Sequence, residues 1–413
     1  MRQLHHFCDS HQEIVSPQCR VLWHVVTILA VITSSAVCNA GPKARLVEVR
    51  DDVRTYVGKV VAKDSDFCYL MEQSGALARL PVAQLDSFKV VSETFRPSSV
   101  AEIRQQLQSE FRSGYEIRTS AHYVVVGKKG NTLAYASLFE EIYRQVVSFY
   151  SRHGFETNAP EVALIAIVFG TQEEFKSYCE RDEVLWSKDL RGYYSLKTNR
   201  VALYDDPDLL KNATAATLSP GKAHAGLISA NYSSESSMPE TDLARRLFSV
   251  TSETASTIIH ETTHQVGYNI GVHSRIGDTP VWVIEGLATV LESPGVRTKG
   301  KASASNKINA ERLEWFTAEY QSRRQPGDLA KLIASDDLFH NQTLDAYSAA
   351  WAFSYFLTEN PARAKLFVRY LRMLSERDPM LPYRPEDRLK DFQKVFGDIS
   401  RLELDYLRAT DQL

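Results

Sequence analysis

The sequence predicts an α+β fold preceded by a small all-β unit, on three observations. Residues 45 to 95 hold short runs rich in Val, Leu and aromatics, broken by turn residues. From about residue 115 the order reads strand, helix, strand, strand. Everything after residue 241 has helical patterning, with Pro280, Pro294, Pro361 and Pro379 as punctuation.

In the first unit the strand runs are ARLVEVR, YVGKVVAKD, FCYLME and ALARLPV. Gly58, Asp64-Ser65-Asp66 and Ser74-Gly75 interrupt them, as in a small SH3-like or Sm-like barrel. This unit shows no ligand site, and a docking module or spacer is its default role. Residues 99 to 112 carry Val100, Ile103, Leu107 and Phe111 at helical spacing, a linker helix. The segment YEIRTSAHYVVVG reads as one strand, and LAYASLFEEIYRQVVSFYSRHG as an amphipathic helix with Leu138, Ile142, Val146 and Phe149 on one face. VALIAIVFG reads as a buried strand, and Asn199 to Asp205 (NRVALYD) as another. Residues 206 to 240 are rich in Ser, Ala and Asn, contain three prolines and lack periodicity: a long loop.

The amino terminus reads as an address. An apolar stretch, VLWHVVTILAVITSSAV over residues 21 to 37, follows Arg20 and precedes Cys38-Asn39-Ala40, the pattern of a secretory signal cleaved after Ala40. A retained membrane anchor and a lipid-anchored Cys38 are the alternatives. Cleavage leaves residues 41 to 413 in the cell envelope or outside it, with Cys68 and Cys179 as the remaining thiols. They form one disulfide or stay as two buried thiols; sequence leaves both open. Across all 413 residues, Lys+Arg 48 against Asp+Glu 51 gives a net charge of -3. That balance excludes a bulk electrostatic footprint for nucleic acid and gives no pull toward an anionic membrane.

The chemistry concentrates in SETASTIIHETTHQVGY, where His260-Glu261-Thr262-Thr263-His264 spells H-E-x-x-H. On a helix, positions i and i+4 share a face, so both imidazoles can reach one zinc ion. Glu261 is rotated about 100° from His260, which aims its carboxylate at a water on that metal. Zinc lowers the pKa of such a water toward about 7, and the carboxylate takes its proton. A surface helix with two His and a Glu in local pairs is the plain alternative, and a third ligand decides between them. The metzincin pattern requires a His where Ile270 stands, which excludes that site. His273 lies nearby but out of register, as a loop histidine would. Glu285, in PVWVIEGLA, follows His264 after twenty residues, room for a turn and an antiparallel second helix. Gly286 and Ala288 are small enough for two helices to approach closely there. A capping role for Glu285 after Pro280 explains the residue but not its spacing from a ready pair of histidines.

HETTHQ followed by WVIEGLATVLE resembles the gluzincin zinc peptidases and, more closely, the peptidase-MA-like domains of secreted bacterial proteins. The resemblance covers about residues 115 to 410, with SAHYVVVG, NRVALYD, AYSAAWAFSYFL and FQKVFGDISRLELDYL in family order. It implies a zincin-like fold, a small mixed sheet packed on helices. It implies His260, His264 and Glu285 as zinc ligands, Glu261 as general base and Glu292 as the acidic partner of a ligand. Thr289 departs from the thermolysin-like branch, which has an acid there. The resemblance also implies that the strand at 199–205 is the edge on which an extended peptide pairs. Tyr347, sixty-two residues after Glu285, matches a position where gluzincins place a Tyr or His to stabilise the oxyanion. Core packing beside Trp351 and Tyr355 explains Tyr347 equally well, and those two aromatics are read as core. No Gly-x-Met-x-Asn segment precedes His260, so an endopeptidase is favoured over an aminopeptidase.

Two functions follow as expectations. The first is a secreted zinc metallopeptidase acting on a peptide or protein substrate, without nucleic acid, and with a membrane only if residues 21–37 are retained. The second is a non-catalytic adhesion or docking protein of the cell envelope that keeps the same fold.

Overall fold

The computed structural model describes residues 44–111, 113–205, 252–298 and 303–413. The expected signal segment and the expected 206–240 loop lie outside the described residues. Among the described residues no helix is long and apolar enough to cross a membrane.

The N-terminal unit is one antiparallel sheet: β1 (Leu46–Asp51), β2 (Thr55–Lys63), β3 (Phe67–Glu72), β4 (Leu77–Pro81) and β5 (Leu85–Ser92), in the order β4-β3-β2-β1-β5. The strand-like runs at 45–81 became β1 to β4; β5 escaped notice because its exposed Lys89, Val90 and Val91 break the alternation. Register shifts in the β1–β5 and β2–β3 ladders bend the sheet around Val47, Val49, Leu70 and Leu80. Asp64 closes the β2–β3 turn, its carboxylate accepting from the backbone N–H of Asp66 and Phe67. The unit is fastened to the rest of the chain. Arg275 donates to the carbonyls of Gly75 and Leu196, and the Leu77 N–H donates to the Lys197 carbonyl.

The main unit is built on a mixed sheet, β6 (Tyr115–Thr119), β7 (Tyr123–Lys128), β8 (Leu164–Phe169), β10 (Arg200–Tyr204) and β9 (Gly192–Tyr194), in the order β6-β7-β8-β10-β9. β7, β8 and β10 run parallel at its centre, and β6 and β9 are antiparallel edges. Two expectations are corrected here. The run YEIRTSAHYVVVG is a hairpin, β6 and β7, turning at Ser120 to His122 without a Gly or Pro. The edge is the three-residue β9, whereas the strand at Asn199 to Asp205 is β10 and pairs on both sides.

The central strands are apolar on both faces because both are covered. Val124, Val126, Ile165, Ile167 and Ala202 face α1 (Val100–Glu110) and α3 (Gln172–Arg181). The 99–112 segment is therefore more than a linker: Ile103 and Leu107 are buried on the sheet, and Ser99 caps the helix in a capping box with Glu102. The alternate residues Val125, Leu164, Ala166, Val168, Val201 and Leu203 face α2 (Thr132–Arg152) and the helix Ser252–Asn269. Leu138, Ile142, Val146 and Phe149 of α2 are all buried, as their spacing predicts. Cys68 and Cys179 are free and buried.

The helical half closes over the Ser252–Asn269 helix. The return helix Val281–Glu292 is buried along nearly its whole length. Trp282 anchors it against Phe353, Phe367, Tyr370 and Phe392. Its close approach at Gly286 is to the helix Thr343–Glu359 and not to the H-E-x-x-H helix. A Cβ on Gly286 would lie 2.6 Å from the Ala350 carbonyl oxygen and closer still to Ser354 Oγ. Gly286→Ala should therefore push the two helices apart. An overpacking cost of about 1–3 kcal/mol is expected, read as a lower denaturant midpoint. An unchanged midpoint would show that the helix pair has slack at this crossing.

Candidate metal centre

The H-E-x-x-H helix is hung from the sheet by amides. Gln265 donates through Nε2 to the carbonyls of Ile165 (3.0 Å) and Asn199 (2.8 Å). Asn269 and Asn199 exchange side-chain hydrogen bonds of 2.8 and 2.9 Å, and Tyr194 also donates to Asn199. Asn199 takes a left-handed φ of 59°, which Asn tolerates better than most residues and which closes the β9–β10 turn. The helix ends at Gly271, also left-handed at φ 88°, where the Val272 and His273 N–H groups return to the Gly267 carbonyl. The turn that follows sends the chain back as the return helix.

His260, His264 and Glu285 converge there. His264 Nε2 lies 3.0 Å from His260 Nε2. Glu285 Oε2 lies 3.2 Å from His260 Nε2 and 3.5 Å from His264 Nε2. Tetrahedral zinc with bonds of about 2.0–2.2 Å sets its ligands roughly 3.3–3.5 Å apart. The donor atoms thus sit at ligand spacing around one point. Two imidazole nitrogens and a carboxylate suit a divalent ion of zinc's softness, and the two facing ring nitrogens need a proton or a cation between them. His260, His264 and Glu285 are a group able to hold a metal among the described residues.

The surroundings fix ring orientation. His260 Nδ1–H donates to Glu292 Oε1 at 2.7 Å, which leaves Nε2 to face the cluster. Glu292 in turn accepts from Asn309 Nδ2 at 2.6 Å. Thr289 bonds back to the Glu285 and Gly286 carbonyls. Glu285 is 3% exposed. Burial works against its charge, but His264 and His260 outweigh burial and hold its carboxyl well below the usual range. For His260 burial opposes the charged ring, and Glu285 and Glu292 prevail, raising its pKa well above the ordinary imidazole value.

Glu261 stands beside the cluster and is not one of its three ligands. Burial raises its pKa against the pull of His260 and His264, and the Tyr194 backbone N–H reaches its carboxylate. The edge strand β9 therefore runs past Glu261, and Gly192 lets it lie close on Thr257. Tyr347 lies beside the cluster, its ring centroid 6.3 Å from that of His260. Burial, then Glu285 and Glu261, push its pKa well above the ordinary phenol value, so it stays a proton donor. Trp351 and Tyr355 are buried and stacked on each other in the core. His273 is buried behind Gly267, with burial and then His264 lowering its pKa to about 3. It stays neutral and lies outside the three-donor group.

Sequence reasoning missed Gln265, Asn199, Asn269, Asn309 and Arg312. Each acts through partners far away in the chain, and only the amides on the motif helix itself carried a local hint, as buried polar positions on its sheet-facing side.

The fold and the cluster together define a mixed α+β protein with an N-terminal all-β unit, a helical C-terminal half and a His/His/Glu group of metal-binding geometry. Residues 254–381 match the model of a family described as protein of unknown function (DUF1570). The matched stretch is less than a third of the chain, and it takes in both motif helices and the Tyr347 helix. No curated protein matches the chain.

Proposed function

We propose that the chain is a secreted zinc-dependent peptidase of zincin-like fold, cutting within peptide chains in preference to trimming their amino ends. One observation carries this reading: two histidines and a buried glutamate meet at tetrahedral ligand spacing with a second carboxylate, Glu261, beside them and free of ligand duty. A purely structural ion has no use for that extra acid.

Zinc, when bound here, supplies a Lewis acid and a water acidified toward neutral pH. Glu261 takes the proton of the attacking water and passes it to the departing amine. Its burial raises its basicity, which suits that exchange. Tyr347 donates its O–H to the carbonyl oxygen as that oxygen gains charge. Glu292, braced by Asn309, holds the His260 ring in one orientation. The outer edge of β9 offers backbone groups to an extended peptide, which would then pass Glu261. The 21–37 segment supports export.

Zinc analysis and a peptide-library digest test the reading. One zinc per chain together with cleavage inside library peptides supports it; zinc-free protein that cuts nothing would favour the docking role instead. Tyr347→Phe keeps the ring and deletes the hydroxyl. Turnover should fall by about 10²–10³ with folding unchanged. An unaltered rate would make Tyr347 a packing residue and leave the metal cluster standing.

A further inference from the structure

We infer that Arg312 is a substrate-anchoring residue that takes a carboxylate of the peptide on the Tyr347 side of the metal cluster. This rests on the peptidase reading and adds a substrate class to it, peptides with a carboxylate within about four residues of the cut bond.

Arg312 belongs to the short helix Ala310–Trp315. Asn309 holds that helix to the site. Its Oδ1 accepts from the Arg312 N–H, and its Nδ2 donates to both Glu292 and the Thr289 carbonyl. The guanidinium is thereby set over the Tyr347 ring, 5.5 Å from its centroid, with the His260 ring on a neighbouring side of the same phenol.

The guanidinium has little else to do. Its Nε is buried with no hydrogen-bond partner among the described residues. Its ion pair is with Glu311, 3.5 Å away and 80% exposed, a contact that water screens. By contrast Arg323, eight residues past the end of that helix, is already satisfied by a two-pronged pair with Asp345 at 2.8 Å. A largely buried guanidinium whose recorded ion pair is solvent-screened suits a carboxylate, since its parallel N–H groups match two carboxylate oxygens. The guanidinium lies 5.5 Å from the Tyr347 ring centre and that centre 6.3 Å from the His260 ring, which puts Arg312 within about four residues of extended chain of the cluster.

Calorimetric titration of the zinc-supplied full chain tests this without turnover. The probes are a peptide hydroxamate with a free C-terminal carboxylate, the same compound amidated, and an amidated compound bearing a glutamate side chain. The free acid should bind at least about 10-fold tighter than the amide. Arg312→Ala should weaken the free acid by about 10- to 100-fold and leave the amide unchanged, which also shows that the variant is folded. Arg312→Lys should restore part of the loss. Preference for the glutamate compound over the free acid would assign the carboxylate to a side chain in place of the terminus. Equal binding of acid and amide by the native protein, or equal weakening of both in Arg312→Ala, overturns the anchoring role while the peptidase reading stands. Binding of none of the hydroxamates removes the peptidase reading and the inference with it.

Discussion

Replacing Glu261 by Gln is expected to lower peptide hydrolysis by at least about 100-fold while one zinc per chain is retained. Glu261 lies outside the three-donor group that could hold the metal, so the amide leaves His260, His264 and Glu285 as they are. Gln keeps the size of the side chain and an oxygen that can still accept from the Tyr194 N–H. What it loses is the ability to take a proton. The effect should therefore fall on kcat with little change in KM or in the thermal midpoint. Turnover near the native level, with zinc bound, would mean that another group activates the water.

Glu285→Ala is expected to empty the metal site, with zinc dropping from one per chain to less than about a tenth under dialysis that leaves the native protein loaded. Three protein ligands are the usual minimum for catalytic zinc, and two imidazoles four residues apart hold it weakly. Removing a 3% exposed carboxylate also takes away the charge that balances His260. Hydrolysis should vanish with the metal. His273→Ala is the companion variant and should keep its zinc, because His273 lies outside the donor group. The reverse pattern, zinc kept in Glu285→Ala and lost in His273→Ala, would move the third ligand to the loop and reject the geometry assigned to the return helix.

These expectations separate what local pattern reveals from what it hides. The pairing of His260 with His264 is a property of helix pitch, and any helix through that segment puts them on one face. Glu285 and Glu292 are seven residues apart, and the same pitch brings both to one side of the return helix. The end of the first helix at Gly271 was also readable, because glycine at a left-handed position is a local requirement. The α2 face and the apolar runs of β7, β8 and β10 were legible for the same reason: burial imposes a period on the residues that meet the core.

Strand order was not legible, because alternation says which face a residue takes and nothing about its neighbour in the sheet. That is why β10 looked like an edge, although β9, three residues long and too short for a periodic signal, lies outside it. The β6–β7 turn was hidden because Ser120 to His122 offer no Gly or Pro. Gly286 announced a close helix approach correctly, but its partner helix lies more than sixty residues on, and a small residue does not name what packs on it.

By itself, then, the sequence determined the α+β class, the two motif helices and the pairing of His260 with His264, which follow from spacing along one element, while Glu285 was singled out by the resemblance of its motif. Only the tertiary structure decided that Gln265 and Asn269 suspend the first helix from the sheet, that Asn309 braces Glu292, and that Arg312 stands over Tyr347. Those contacts join side chains across loops whose closure depends on how whole layers pack, and no local energy term in the chain specifies which distant partner each amide or guanidinium will meet.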